Sequence, residues 1–142
     1  MKVESAQFGT LEVGDEDVVV FDGGLLGFPT SKRFVMIEAD RPGYLWLQSI
    51  DETELSFLAT HPWDFFPDYE FELDQADQDG LEISSLEDAD VLCLLSIHDQ
   101  ADTMTVTINL LGPLVVNTAT RQGRQVVLSG SDYEASEPLV AA

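Results

Sequence analysis

Strand-length runs recur along this chain every ~8–12 residues with turn signals between them, and no stretch sustains a helical apolar period. That rhythm is the strongest constraint on the fold, because it suits an all-β sandwich or barrel. The first candidate strands are Val3–Phe8 and Asp17–Phe21, with "GTLEVGDED" and "GGLLGFP" as glycine-marked turns between and after them. Arg33–Ala39, Tyr44–Ile50 and Leu55–Thr60 follow. "HPWDFFP" is bounded by Pro62 and Pro67 and has room for one helical turn only. Asp68–Leu73 reads as a strand. "QADQDGLEISSLEDAD" reads as polar and irregular, with Ser84 or Ser85 placed to cap a short turn through Leu86–Ala89.

"VLCLLSIH" is apolar on both faces and reads as a central strand. "TMTVTINL" alternates, which sends Met104, Val106, Ile108 and Leu110 inward and the threonines outward. "HDQAD" joins these two as a hairpin loop. "LVVNTAT" and "RQVVLS" read as a hairpin closed around Gly123. The expected fold is mainly β: a small antiparallel barrel, closed or nearly so, with one or two short helical turns, in a single domain over residues 1–142.

A chain of 142 residues can bury roughly 70% of its unfolded surface, so it needs neither disulfide nor metal to fold. The single cysteine, Cys93, rules out an internal disulfide and suits a reducing compartment. The N-terminus carries acids early and no long apolar core, unlike a secretory signal. No window approaches the ~20 apolar residues of a membrane span. Charge is the strongest bulk signal: 27 acids against 6 bases, a formal net charge of -21. Such a surface repels nucleic acid and anionic membranes and draws in basic partners. Adaptation to a saline habitat would produce the same charge with no partner at all.

The motifs of common chemistries are missing from the sequence. His61 and His98 form no HExxH pair and no metal-spaced cluster. Cys93 sits in the most apolar run, where a thiol is a small hydrophobe rather than a nucleophile. "QADQDGLEISSLE" places Gly80 at the sixth position of a calcium loop, with Asp77 and Asp79 third and fifth. Its first position is Gln75 and its twelfth Leu86, so two essential ligands are lost. No cofactor or metal is expected.

The segment Asp68–Asp74 alternates strictly between acid and apolar residues, and no lysine or arginine occurs between Arg41 and Arg121. In a strand, Tyr69, Phe71 and Leu73 face the core, and Asp68, Glu70, Glu72 and Asp74 line the other side ~7 Å apart. A like-charge pair at that spacing costs about 0.6 kcal/mol in water. The row is therefore tolerable as a solvated strand face that prevents edge pairing. It is equally suited to docking a basic partner, with Asp77, Asp79 and Glu82 extending it and Trp63 as an aromatic anchor beside it. Phe65 and Phe66 read as core residues at one barrel end.

Several stretches together resemble the FliW family of bacterial flagellar assembly factors. They are "GLLGF" (Gly24–Phe28), "RFV" (Arg33–Val35), "WLQS" (Trp46–Ser49), "FPDYEFEL" (Phe66–Leu73), "NLLGPLVVNTATRQGRQVVL" (Asn109–Leu128) and the terminal Tyr133, Pro138 and Leu139. They occur in family order over nearly the whole chain. Leu26 stands where the family usually has proline, Gly112–Pro113 replaces "AP", and Ser136–Glu137 replaces a basic or histidine residue before Pro138.

The resemblance implies a compact β-barrel-like fold and a non-enzymatic, cytoplasmic regulator with two partners; a monomer is expected. One is flagellin, bound before export by a chaperone. The other is CsrA, a basic RNA-binding repressor of translation that free FliW sequesters allosterically. Direct binding of nucleic acid or membrane is not expected. Two routes to CsrA stay open: the acids mimic RNA phosphates and compete directly, or they dock beside the RNA surface and repel it. Flagellin, with its amphipathic terminal helices, calls for an apolar groove, for which Trp63 and the "GLLGF" turn are candidates.

Overall fold

The computed structural model describes residues 1–100 and 103–139. β1 (Lys2–Ser5) and β2 (Gly9–Glu12) form a separate antiparallel ribbon. The remaining strands are β3 (Val18–Phe21), β4 (Arg33–Glu38), β5 (Tyr44–Ser49), β6 (Ser56–Thr60), β7 (Ala89–Gln100), β8 (Thr103–Ile108), β9 (Leu114–Asn117), β10 (Gln122–Gln125) and β11 (Glu137–Pro138). One helix, α1 (Gln75–Leu81), lies between β6 and β7. The ring β3-β4-β5-β6-β7-β9-β10 closes on itself through the parallel pair β10–β3. All other pairings in the ring are antiparallel.

β7 makes closure possible because it serves two partners in succession. Ala89–Leu92 pair with β9, and Leu95–Gln100 pair with β8. Asn109 N–H still donates to Leu94 O at 2.9 Å, and the chain then leaves the ladder at "LLGP" before β9 takes over.

Alternation along these strands splits the apolar residues into two cores. Val19, Phe21, Phe34, Leu47, Ala59, Leu92, Leu114 and Val116 fill the barrel. Val91, Cys93, Leu95, Ile108 and Val115 face outward and meet a second layer made by residues 62–86 and the C-terminal stretch. β7 and β9 feed both cores, which is why Val91–Leu95 and Leu114–Val116 are apolar at successive positions. Gly123 lies where β10 crosses β3. A Cβ there would sit 2.5 Å from the Phe21 ring, so the parallel contact needs glycine.

Several expectations need correction. Part of the "GTLEVGDED" turn is a strand, β2, paired with Lys2–Ser5. The β9–β10 turn closes at Asn117–Arg121, upstream of Gly123. Asn117 Oδ1 accepts from Ala119 and Thr120 N–H (2.8 and 3.2 Å), and Arg121 takes the left-handed conformation at φ 63°. "QADQDGL" is helical rather than irregular: Asp74 Oδ1 caps it at Asp77 N–H (2.8 Å), and Glu82 ends it in the left-handed region. Ser85 does cap the short turn Leu86–Asp88. Asp68 sits in a turn, and Tyr69–Leu73 belong to no sheet. Met104 points into solvent, 68% exposed, because the cover over β8 ends before it. Of the predicted loop His98–Asp102, His98–Gln100 prolong β7 and pair with Thr105, Met104 and Thr103 of β8; Ala101 and Asp102 lie outside the described residues.

Candidate functional site: an acidic strap over the outer core

Residues Asp68–Asp74 form a strap across the outer core. Their burial alternates as the sequence predicts: Tyr69 is buried, Phe71 and Leu73 are half-buried, and Asp68, Glu70, Glu72 and Asp74 are exposed. Without a ladder, an extended backbone must find hydrogen-bond partners elsewhere. Here side chains supply them. Trp63 Nε1–H donates to Tyr69 O at 2.6 Å. The Tyr133 hydroxyl accepts from Glu70 N–H (3.0 Å) and donates to Glu70 O (3.1 Å). Gln78 Nε2 donates to Leu73 O at 2.9 Å.

Tyr69 is the central anchor. Its hydroxyl donates to Leu110 O at 2.7 Å, and its ring meets Tyr133 edge-on at 4.6 Å and Trp63 at 6.0 Å. Burial pushes the Tyr69 hydroxyl well above its ordinary pKa, and the neighbouring Cys93 adds to this. Burial likewise pushes the Cys93 thiol up to about 12, so it stays protonated and unreactive.

The acids differ in what they meet. Asp77 is turned inward and pairs with Arg124 Nη1 at 3.1 Å, a cation brought from 47 residues away that also donates to Ala76 O. Asp79 accepts from Gln75 within the helix (2.8 Å), Asp74 caps that helix, and Glu82 ends it. Asp68, Glu70 and Glu72 are exposed, and among the described residues no ion pair reaches them.

Opposite the strap runs Val126–Tyr133, and a cleft of about 490 Å³ opens between them. Glu70, Glu72, Asp74 and Asp77 line one side, and Val127, 46% exposed, offers apolar surface on the other. The cleft thus brings together four of the acids singled out by sequence. It leaves Asp79, Glu82, Asp68 and Trp63 outside its lining. The opposing wall, Val127 and Tyr133 above all, was not foreseen; Tyr133 could have been flagged only as part of the terminal family motif.

Trp63 is 39% exposed, with its indole N–H engaged by the strap. Phe65 and Phe66 are half-buried, and Phe66 packs on the outer core. His61, just before this turn, is tied to the start of β7 through Asp90 (3.0 Å), and that hydrogen bond holds its pKa above the usual imidazole value. The "GLLGF" turn lines a separate pocket together with Gly80 and Gln122–Gln125, with Gly24 at φ 69°, where a Cβ would meet the Pro29 backbone at 2.7 Å. Leu26 is 65% exposed there, and its N–H donates to Gln125 Oε1 at 2.8 Å. Among the described residues, no group of three or more metal-ligating side chains converges, and no helix is long and apolar enough to cross a membrane.

These features define a small closed barrel that carries a second, outer core and an acid-lined cleft on its surface. The same architecture occurs in a crystal structure of the flagellar assembly factor FliW, which superposes with a TM-score of 0.86 at 29% identity over 99% of this chain and 98% of that one. The family model described as "FliW protein" matches residues 2–139. Flagellar assembly factors FliW from Magnetococcus marinus and Desulfitobacterium hafniense are 37% and 39% identical to it over 99% and 98% of this chain, covering 85% and 91% of their own lengths. The chain belongs to the FliW family of flagellar assembly factors.

Proposed function

We propose that this chain is a non-enzymatic, cytoplasmic regulator of flagellum assembly that acts as one domain. It binds flagellin before export as a chaperone, and when released it binds CsrA and relieves translational repression. The observation that carries the CsrA half is the cleft beside the strap: Glu70 and Glu72 stand exposed with no ion pair among the described residues, although the fold recruits Arg124 to Asp77. Their mutual repulsion is relieved by lysines or arginines of a basic partner. Asp68 and Asp74 belong to the same face, and Asp79, Glu82 and Trp63 border it. An acidic body held beside an RNA surface also repels RNA across about a Debye length, which favours exclusion without competition for one site.

Calorimetric titration into CsrA of the same organism, at two salt concentrations and with or without target RNA, tests this reading. The expected result is salt-weakened binding that lowers RNA affinity without sharing the RNA site. Glu70→Lys combined with Glu72→Lys is expected to weaken CsrA binding and leave the thermal melt nearly unchanged. Unaltered affinity in that variant sinks the assignment of the strap. Binding that RNA competes away at a single site would instead mark phosphate mimicry.

A further inference from the structure

Both walls of the acid-lined cleft carry backbone that is left unpaired. In the strap the hydrogen bonds alternate with the residues. Tyr69 O and Leu73 O accept from Trp63 and Gln78, whereas Glu70 N–H and C=O both turn to the Tyr133 hydroxyl. Main-chain groups two residues apart point the same way along such a segment. The N–H and C=O of Glu72 therefore follow those of Glu70, toward the cleft that Tyr133 lines. On the opposite wall, Val126 N–H donates to Pro113 O at 2.9 Å and Leu128 N–H to Leu111 O at 2.8 Å. Val127 lies between them and lines the cleft, and its own N–H and C=O point the opposite way. Among the described residues, no backbone hydrogen bond reaches Glu72 or Val127.

Tyr133 marks what the slot lacks. Its one hydroxyl makes, at Glu70, the donor and acceptor pair that a residue of a neighbouring antiparallel strand makes. The lining then selects the occupant. Phe71, Val126 and Leu128 line the cleft and belong to the outer core, so its floor is apolar. Glu70, Glu72 and Asp74 line it as well and are exposed. A segment laid along the strap sends alternate side chains to the floor and to water. Those facing water become cross-strand neighbours of the carboxylates, where opposite charge is favourable. A second copy of this chain would bring another net charge of -21 to the contact, which opposes self-association.

We propose that the cleft takes an extended segment of a basic partner protein by strand addition. Lysines or arginines at alternate positions lie beside Glu70, Glu72 and Asp74, apolar side chains between them cover Phe71 and Val126, and the segment's main chain bonds to Glu72 and Val127. The inference rests on the CsrA half of the function proposed above and adds the mode of binding. Main-chain bonds hold the segment, and the row of acids sets its register.

The experiment is hydrogen exchange at the Glu72 and Val127 amides of the full chain, free and saturated with CsrA, joined to calorimetry on Val127→Pro and Val127→Ala, each checked by thermal melt. Both amides are expected to exchange fast in the free chain and to slow by about tenfold or more in the complex. Val127→Pro removes an N–H that no backbone bond uses in the free chain, and should weaken CsrA binding by roughly two- to tenfold. Val127→Ala keeps that N–H and should keep most of the affinity. If the proline variant does not fold, exchange in the wild-type complex decides alone. CsrA binding that leaves both amides as fast as in the free chain overturns strand addition and leaves the CsrA reading standing. Protection at Glu72 without Val127 puts the partner on the charged face of the strap alone and also overturns it. Absence of CsrA binding by the wild type overturns both.

Discussion

The strap Asp68–Asp74 and the β7–β8 ribbon both alternate polar and apolar residues, yet they end up in opposite situations. The strap has a core beneath it and no strand beside it. The ribbon has a complete ladder from Leu95↔Ile108 to Gln100↔Thr103 and loses its core halfway along. Alternation encodes which side chains share a face. It does not encode whether a neighbouring backbone or a covering layer will be present. In the strap, side chains replace the missing ladder: Trp63, Tyr133 and Gln78 satisfy three consecutive regions of backbone. In the ribbon, Ile97 and Met104 keep the pattern of core residues without a core to enter.

The largest effect is expected where the strap meets the core. Tyr69→Ala removes the buried ring and its bond to Leu110 O, and should lower unfolding stability by ~3–5 kcal/mol in urea titrations. Retained stability would mean that the strap is merely laid over the barrel. Tyr133→Phe keeps the edge-on ring contact but deletes both bonds to Glu70, and should cost about 0.5–1.5 kcal/mol. Hydrogen exchange at the Glu70 amide should quicken in that variant while amides of β5 stay protected.

The His61–Asp90 contact offers a pH test of the strap's entry point. Because the hydrogen bond from Asp90 raises the folded pKa of His61, the stabilisation is complete below the ordinary value near 6.5 and is lost as pH rises through the folded value. Both side chains are partly exposed, so the effect should be at most ~1 kcal/mol. Asp90→Asn should flatten that slope between mildly acidic and neutral pH in thermal melts. The smallest effect belongs to the ribbon: Met104→Thr should change stability by no more than about 0.5 kcal/mol, since the side chain already stands in water. A larger loss would show that the ribbon's apolar face is covered in solution.

Much of this architecture is legible in the sequence alone. The runs containing β3 to β9 were found from alternation and turn residues, and β7 was found from its two-faced apolar run. The facing of Tyr69, Phe71 and Leu73 was also correct. α1 was missed because Gly80 is a poor helix former and the helix buries only Leu81, so no apolar period announces it. β2 was missed because its glycine and acids look like a turn, and only its pairing with Val3 and its neighbours makes it a strand. The site divided in the same way. The acids were visible as a pattern, whereas the pairing of Asp77 with Arg124 and the facing wall at Val127 depend on residues some 50 positions apart in the chain.

The sequence by itself determined the local terms: the strand period, the facing of the side chains in Asp68–Asp74, the cap at Ser85 and a formal net charge of -21. The tertiary structure alone decided closure of the barrel, the division of the apolar residues into two cores, and the pairing of Asp77 with Arg124. The physical reason is range. Backbone preference and side-chain alternation act between neighbours in the chain, whereas closure, burial and ion pairing act between groups that only the folded chain brings within a few ångströms.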